Sequence, residues 1–304
     1  MKTIAVLCVL GAGIFWGSSG VFVNLFGALG LESMDLVAMR SVLAALTTFV
    51  FIMIRDRKLL RFKLRDAWIF LGSGSVGLFM FSLCYFTAIK ATSMSVAAVL
   101  LYTSPAIVLV ASRFVFGERF TKAKAAAVLL IMSGNVLVTG LAGGSVSLSV
   151  TGVLFGLGAG FCYATSSIFG KISARHGYDA LTLTFWQFAV AAVLSLLFAD
   201  IGNIVSVATA TPANAGLALV YGCFMTLAPH LLFNTGLKYL ESSRASMLSS
   251  VELISASVLG VIFLDEAITL TTVAGIVLVL GGVALSVERS KKPAKAAGDG
   301  GNAG

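Results

Sequence analysis

Three ionisable side chains lie inside long, mostly apolar stretches of this sequence. Glu252 and Arg40 have apolar residues on both sides, and His230 directly follows Pro229 in a third such stretch. Near the centre of a membrane helix, an ionisable side chain costs roughly 2.5 to 3.5 kcal/mol on insertion scales, so it needs a partner, a cavity or a function. A carboxyl group or an imidazole can bind a proton in one state of a protein and release it in another. Glu252 and His230 are therefore predicted to couple proton binding to a conformational change.

Each of these residues also has a purely structural interpretation. Glu252 could be hydrogen-bonded between helices and fix their packing, and His230 could be a core histidine with satisfied ring nitrogens. Arg40 stays charged under ordinary conditions, so it could meet a carboxylate of a bound molecule or of Glu252. Its side chain could instead extend to the outer interface. Both interpretations stay open at the level of the sequence.

Aromatic and polar residues occur within the same apolar stretches rather than only at their ends. A tyrosine or tryptophan there offers an apolar face with a polar edge to a cavity, although helix packing is the alternative role for each. Proline inside a helix removes a hydrogen bond and can kink it, which is the role expected of Pro105. The predicted substrate-binding residues are Trp16, Ser19, Arg40, Tyr85, Tyr102, Pro105, Tyr163, Gln187, Asn234 and Glu252.

The elements that carry these residues are predicted to be membrane-spanning helices. Of the 304 residues, 58% are hydrophobic and only 11% are charged, whereas soluble domains have roughly 25% charged residues. A span needs roughly 20 apolar residues. The sequence predicts an all-α integral membrane protein with ten spans near 4–29, 34–54, 67–89, 94–116, 123–141, 150–170, 180–199, 214–236, 244–264 and 271–287.

The distribution of basic residues predicts the orientation of these spans. With ten helices and a cytoplasmic N-terminus, all 21 lysines and arginines except Arg40 and Lys90 fall in cytoplasmic segments. This strong positive-inside bias places a multi-pass protein in the cell membrane, with both termini cytoplasmic. The same bias explains the net charge of +8, so no nucleic-acid partner is expected.

The two halves of the chain align with each other. At an offset of 147 residues, Trp16-Gly-Ser-Ser19 pairs with Tyr163-Ala-Thr-Ser166 and Arg40 pairs with Gln187; at 148, Glu118 pairs with Glu266. The predicted repeats are residues 1–145 and 149–288, followed by a disordered tail at 289–304. Since each repeat holds five helices, an odd number, the second must enter the membrane from the opposite side, as in transporters that work by alternating access.

These repeats resemble two EamA modules of the drug/metabolite transporter superfamily. The resemblance is carried by the aromatic-small-Ser-Ser stretch of each first helix and by the ends Phe116-Gly-Glu-Arg-Phe-Thr121 and Leu264-Asp-Glu-Ala-Ile-Thr269. It implies ten helices and transport of small solutes, commonly export of amino acids or other metabolites. The family often has Glu-Pro where this chain has Glu252-Leu253, which puts a helix break there in doubt.

Several functional classes are excluded by missing motifs. No Walker loop, HExxH or GxSxG motif occurs, and the cysteines lack the spacing of a metal site. We therefore expect no enzyme activity, cofactor or metal. The prediction is a proton-coupled or facilitative transporter of a small metabolite, with lipid, substrate and protons as its partners, working as a monomer or homodimer. The alternative is a membrane receptor or assembly partner that transports nothing.

Overall fold

A computed structural model describes residues 1–141, 149–264 and 268–288, and this part of the chain is helical, with no β-strand. The predicted tail at 289–304 and the acidic residues Asp265 and Glu266 lie outside the described residues. The α-helices are α1 (Lys2–Ala28), α2 (Ser33–Arg55), α3 (Ala67–Gly74), α4 (Phe81–Ala91), α5 (Met94–Leu101), α6 (Ser104–Phe116), α7 (Lys122–Val138), α8 (Val150–Arg175), α9 (Ala180–Leu196), α10 (Ile201–Thr209), α11 (Pro212–Leu219), α12 (Leu227–Leu237), α13 (Ser242–Ser249), α14 (Val251–Leu264) and α15 (Leu270–Glu288).

The described residues contain eight helical segments that are long and apolar enough to cross a membrane, or up to nine if the bent pair α9 and α10 counts as one. The described residues thus form an all-helical membrane protein with at most nine candidate spans, one fewer than the ten predicted. The remaining helix is α7, which has 17 residues, somewhat fewer than the roughly 20 of an ordinary span.

Helix α10 was not expected from the sequence, which predicts a loop between 199 and 214. It turns by 110° from α9, and the Asp200 carboxylate accepts a hydrogen bond from the Asn203 N–H (3.0 Å), which caps the helix. Ile204, Val207 and Ala208 pack against a cluster that includes the fully buried Phe26. The helix therefore packs against α2 and α11 rather than continuing the direction of α9.

Packing between the two halves is reciprocal. Helix α1 of the first half packs against α12, α13 and α14, and its repeat mate α8 packs against α4, α5 and α6. The mates α2 and α9 contact each other, as do α7 and α15. Each contact between the halves thus has a counterpart in which the two halves exchange roles, as a twofold axis would produce.

Irregular backbone occurs at matching places in both halves. A π-helical segment joins α3 to α4 at Ser75–Met80, and another joins α11 to α12 at Val220–Thr226. The rod of α5 and α6 is interrupted at Tyr102 and Thr103, with Pro105 in the first turn of α6. The rod of α13 and α14 is interrupted at Ser250, next to Glu252, although no proline is present. The break that the sequence put in doubt therefore exists.

Small residues let α1 approach α14. A Cβ atom added at Gly17 would come within 2.7 Å of the Glu252 carbonyl oxygen and the Ala256 backbone nitrogen. This contact sets the distance between the first helix and the backbone that carries Glu252.

The bundle has two distinct ends. At one, the Tyr178 hydroxyl donates to Asp66 (2.6 Å) and the Trp186 indole N–H donates to the Leu60 carbonyl (3.1 Å), both across the halves. At the other, the buried Asp35 carboxylate accepts from the Asp200 N–H (2.8 Å). Most basic residues belong to the first end, which we call the basic end; the second is the Asp35 end.

Candidate functional site

Trp16 lies where the two halves meet and contacts three aromatic side chains of the second half. Its ring is 6.2 Å from Tyr163, 5.2 Å from His230 and 5.2 Å from Phe233, centroid to centroid. Helix α1 delivers Trp16, while α8 delivers Tyr163 and α12 delivers the other two. Trp16, a predicted site residue of the first half, thus lies beside Tyr163 and His230, which are predicted site residues of the second half. We call Trp16, Tyr163, His230, Phe233 and Glu252 the central cluster.

Glu252 joins the central cluster through Tyr163. The Tyr163 hydroxyl donates to the Glu252 carboxylate at 3.4 Å, a long hydrogen bond. The ion pairs of the described residues include none to Glu252. The interruption at Ser250 places this carboxylate in the first turn of α14, where the helix dipole favours a negative charge. An acidic group is thus held near the middle of the α13 and α14 rod without a cationic partner among those residues.

His230 contacts both Trp16 and its own helix through Nδ1. This nitrogen is 2.8 Å from the Thr226 carbonyl oxygen and 3.4 Å from the Trp16 indole nitrogen. One ring nitrogen cannot donate to the carbonyl and accept from the indole at once. The shorter contact favours a proton on Nδ1, so the Trp16 contact is an edge-to-face aromatic contact rather than a hydrogen bond. Nε2 is then the nitrogen left to accept a proton.

Arg40 projects from α2 toward α4, where its guanidinium donates to the Ser82 hydroxyl at 3.3 Å. It is partly exposed, and it lies seven residues, or about 10 Å along the helix, from the start of α2 at the Asp35 end. The ion pairs of the described residues include none to Arg40. Its guanidinium therefore keeps donors that a ligand can use.

Tyr85 and Tyr102 border the central cluster from the first half. Tyr85 stacks on Phe81 at 5.8 Å, and Phe81 in turn contacts Tyr163 at 5.4 Å. Tyr102, at the interruption between α5 and α6, is buried in a cluster with Phe233 and Leu253. These tyrosines continue the aromatic surface from Trp16 toward α4 and α5.

Other predicted residues have structural contacts or lie at the margin. The Asn234 amide donates to the Thr184 hydroxyl at 3.0 Å and ties α12 to α9. Gln187 is buried at the crossing with α3, where its backbone carbonyl approaches Gly74. Ser19 is partly exposed one turn beyond Trp16, and Pro105 is buried in α6. Ser19 and Asn234 each lie about one helical turn from a member of the cluster, Trp16 and His230 respectively.

Sequence reasoning missed Phe81, Phe233 and Ser82. Phenylalanine is frequent throughout the spans, with 22 in the chain, so its type carries no signal. Ser82 could have been found from its place on α4, one turn before Phe86 and three residues before Tyr85. A small pocket of about 90 Å³ opens at the Asp35 end between the start of α2 and the other face of α4, but it contains none of the predicted site residues.

Among the described residues, no group of three or more His, Cys, Asp or Glu side chains is arranged to hold a metal ion. Tyrosine, tryptophan, one carboxylate and one guanidinium are instead suited to an amphipathic organic molecule.

Comparisons with known proteins identify the family and the fold of the chain. The family model described as "EamA-like transporter family" matches residues 3–140 and again 150–288. The uncharacterized transporter YxxF of Bacillus subtilis is 24% identical over 98% of this chain and 94% of its own length. The pseudopaline exporter CntI of Pseudomonas aeruginosa is 26% identical over 70% of this chain and 72% of its own. A solved crystal structure has the same fold, with a TM-score of 0.78 at 20% identity, covering 94% of this chain and 97% of the solved one.

Proposed function

Because the chain belongs to the EamA-like transporter family, we propose that it is a secondary transporter that exports a small amphipathic metabolite, an amino acid or a similar compound, by alternating access. The family match covers both repeats of the chain. Among the similar proteins, CntI is named as an exporter, which supports the outward direction.

The central cluster is the observation that carries this proposal. Residues of both halves form it, so a movement of one half against the other changes the cluster directly. Two ionisable groups offer opposite charge: Glu252, within the cluster, suits an ammonium group, and Arg40, which lies outside the cluster on α2, suits a carboxylate. Aromatic rings around Glu252 add cation–π attraction for the same ammonium group.

The geometry also supports transport over a non-transporting receptor. A receptor that transports nothing would be expected to lack a central cavity and to hold Arg40 and Glu252 paired and sealed by side chains; the described contacts address the second of these criteria. Arg40 instead donates to Ser82, and Tyr163 donates to Glu252. Both charges are therefore available to a ligand or, for Glu252, a proton.

We further propose ten spans, with α7 as the short tenth, and an inverted relation between the repeats. Extensive packing of α7 along α15 supports this number, because α15 is itself a candidate span. The hydrogen bond from the Asp200 N–H, just after the end of α9, to Asp35, at the start of α2, supports the inverted relation, because it makes these two repeat mates antiparallel. On this topology the basic end is cytoplasmic.

The direct test is flux in proteoliposomes containing the full-length chain. A set of radiolabelled amino acids and related amines would be screened with and without a pH gradient, against liposomes without protein. We expect accumulation of at least one zwitterionic compound above the empty liposomes. Absence of protein-dependent flux for the whole set, with folded protein, would reject the proposed substrate class.

Glu252→Gln tests proton coupling within the same assay. Glutamine keeps the size of the side chain and its hydrogen bonding but cannot titrate, so we expect substrate exchange to persist while accumulation driven by a pH gradient is lost. Glu32→Gln is the matched control, since Glu32 is exposed at the start of α2. Full pH-driven accumulation by Glu252→Gln would show that Glu252 does not couple protons.

A further inference from the structure

A buried carboxylate joins the two halves at the basic end. Glu118, two residues beyond α6, is only 7% exposed. It accepts hydrogen bonds from the N–H groups of Ser242 (2.6 Å) and Ser243 (3.2 Å) and from the Ser243 hydroxyl. These donors form the first turn of α13, so a first-half carboxylate caps a second-half helix.

Lys124, in the first turn of α7, completes the contact. Its ammonium group donates to the Ser243 hydroxyl (2.8 Å) and lies 3.7 Å from Glu118 and 2.9 Å from Glu241. Glu241 in turn pairs with Arg244 at 3.0 Å. Two acidic and two basic residues thus balance one another around the start of α13.

The contact around Glu118 and Lys124 is linked to the central cluster by helix α13. Helix α13 has eight residues, about 12 Å of rise, and ends at the interruption that precedes Glu252. Its start is held by Glu118 and its far end leads into the turn that carries the site carboxylate. A displacement of α13 at the basic end therefore changes the position of Glu252.

We propose that Glu118 and Lys124 form a gate that holds the basic end closed and opens once in each transport cycle. This inference rests on the proposed function, because alternating access requires the halves to separate at this end. The contact is suited to repeated opening, since each of its groups is polar and can be hydrated when the halves part. An apolar seal of the same area would instead expose its surface to water on opening.

Cysteine accessibility tests the gate without any substrate. The reporter is a thiol introduced by Ser246→Cys, one turn inside the Glu118 contact and 2% exposed, in a chain whose four native cysteines are replaced by alanine. Labelling by a membrane-impermeant maleimide would be followed in membrane vesicles of both orientations. Glu118→Gln is added to this background, with Asp179→Asn as the matched control. Asp179 also holds an ion pair at the basic end, but its partner Lys238 belongs to the same half.

We expect Glu118→Gln to raise the labelling rate from the basic end about tenfold, because the neutral amide loses a charge-assisted contact to two backbone N–H groups. Asp179→Asn should leave the rate unchanged. If Glu118→Gln does not fold, Ser243→Ala replaces it, with an expected increase of a few fold. A rate within twofold of the parent in a folded variant, or an equal increase in the Asp179 control, would overturn the gate.

The result is separable from the proposed function. If no compound is transported in liposomes but Glu118→Gln still opens the basic end, the transport proposal fails and the gate stands as a conformational lock.

Discussion

Tyr163 contacts the Glu252 carboxylate only through its hydroxyl group. Tyr163→Phe removes this donor and keeps the ring, so the contacts with Trp16 and Phe81 persist. A long hydrogen bond of this kind contributes about 0.5–1.5 kcal/mol. We therefore expect a KM increase of about 2- to 10-fold in a flux assay, together with a small decrease in Tm.

The matched control for this change is Tyr239→Phe, because Tyr239 is 47% exposed and lies two residues beyond the end of α12, outside the cluster. An equal KM increase in the control would show that the effect does not come from the hydrogen bond to Glu252.

Asp179 gives a pH-dependent contribution to stability at the basic end. Partial burial alone would raise its pKa, but the hydrogen bond and charge of Lys238, together with the Leu181 N–H, outweigh this and lower the pKa below its usual 3.8. A carboxylate with a lowered folded-state pKa stabilises the protein above its unfolded pKa, and this contribution is lost as the pH falls through the folded value.

We expect Asp179→Asn to lower Tm at pH 7 modestly, since the group is partly exposed. Asparagine can still cap the helix, so the difference in Tm between parent and variant reports the effect of the charge alone. The gap between parent and variant should close as the pH drops below about 3.8. Thermal unfolding of the parent and the variant, measured at several pH values, checks this. A difference in Tm that grows as the pH falls would contradict the prediction.

At the scale of helices, the crossing of α1 and α14 depends on Gly17. Alanine there would place its Cβ 2.6–2.7 Å from Ser255, Ala256 and Glu252 atoms, two of which are backbone atoms that cannot rotate away. Overpacking of this kind typically costs about 1–3 kcal/mol. We expect Gly17→Ala to lower Tm by several degrees and to reduce flux, because Glu252 moves with α14.

Gly20→Ala is the control on the same helix, since nothing lies within 4 Å of its added Cβ. Replacing a helical glycine by alanine at an open position should be neutral or slightly stabilising. Equal loss of stability in both variants would mean that general helix effects, rather than the crossing, explain the result.

The sequence predicted most long helices because uninterrupted apolar runs dictate them. It did not predict the break at Ser250, since the usual cause of a break, proline, is absent there. The π-helical segments were also missed, because their sequences do not differ from ordinary apolar helix. Helix α10 had a visible signal, the cap at Asp200, but its short length lies below what hydropathy detects.

For the whole molecule, the proposed topology predicts where reporter domains will lie. Fusions after Arg61 and Tyr239 should report the cytoplasm, and a fusion after Asp200 should report the outside, because the first two positions lie at the basic end. Paired reporters that are active on opposite sides, such as alkaline phosphatase and green fluorescent protein, check this. An external signal after Tyr239 would reject both the proposed orientation and the assignment of the gate to the cytoplasmic side.

The central cluster was predictable in part. The alignment of Trp16 with Tyr163 indicated two aromatic residues at equivalent depths, and the structure places their rings in contact. The partners of Arg40 and Asn234 were not predictable, since Ser82 and Thr184 become neighbours only through packing between helices that the sequence does not order. The polar residues in the apolar spans therefore indicated how deep in the membrane the site lies, but they did not indicate which side chains contact one another there.

The capping of α13 by Glu118 also has a consequence for biosynthesis. The two partners are 124 positions apart in the chain, and a ribosome adds roughly 5–20 residues per second, so about 6–25 s pass between their syntheses. During that time Glu118 and Lys124 have each other but lack the helix that completes their contact. The Glu118 carboxylate of the first repeat therefore remains without its backbone donors until the second repeat has been synthesised.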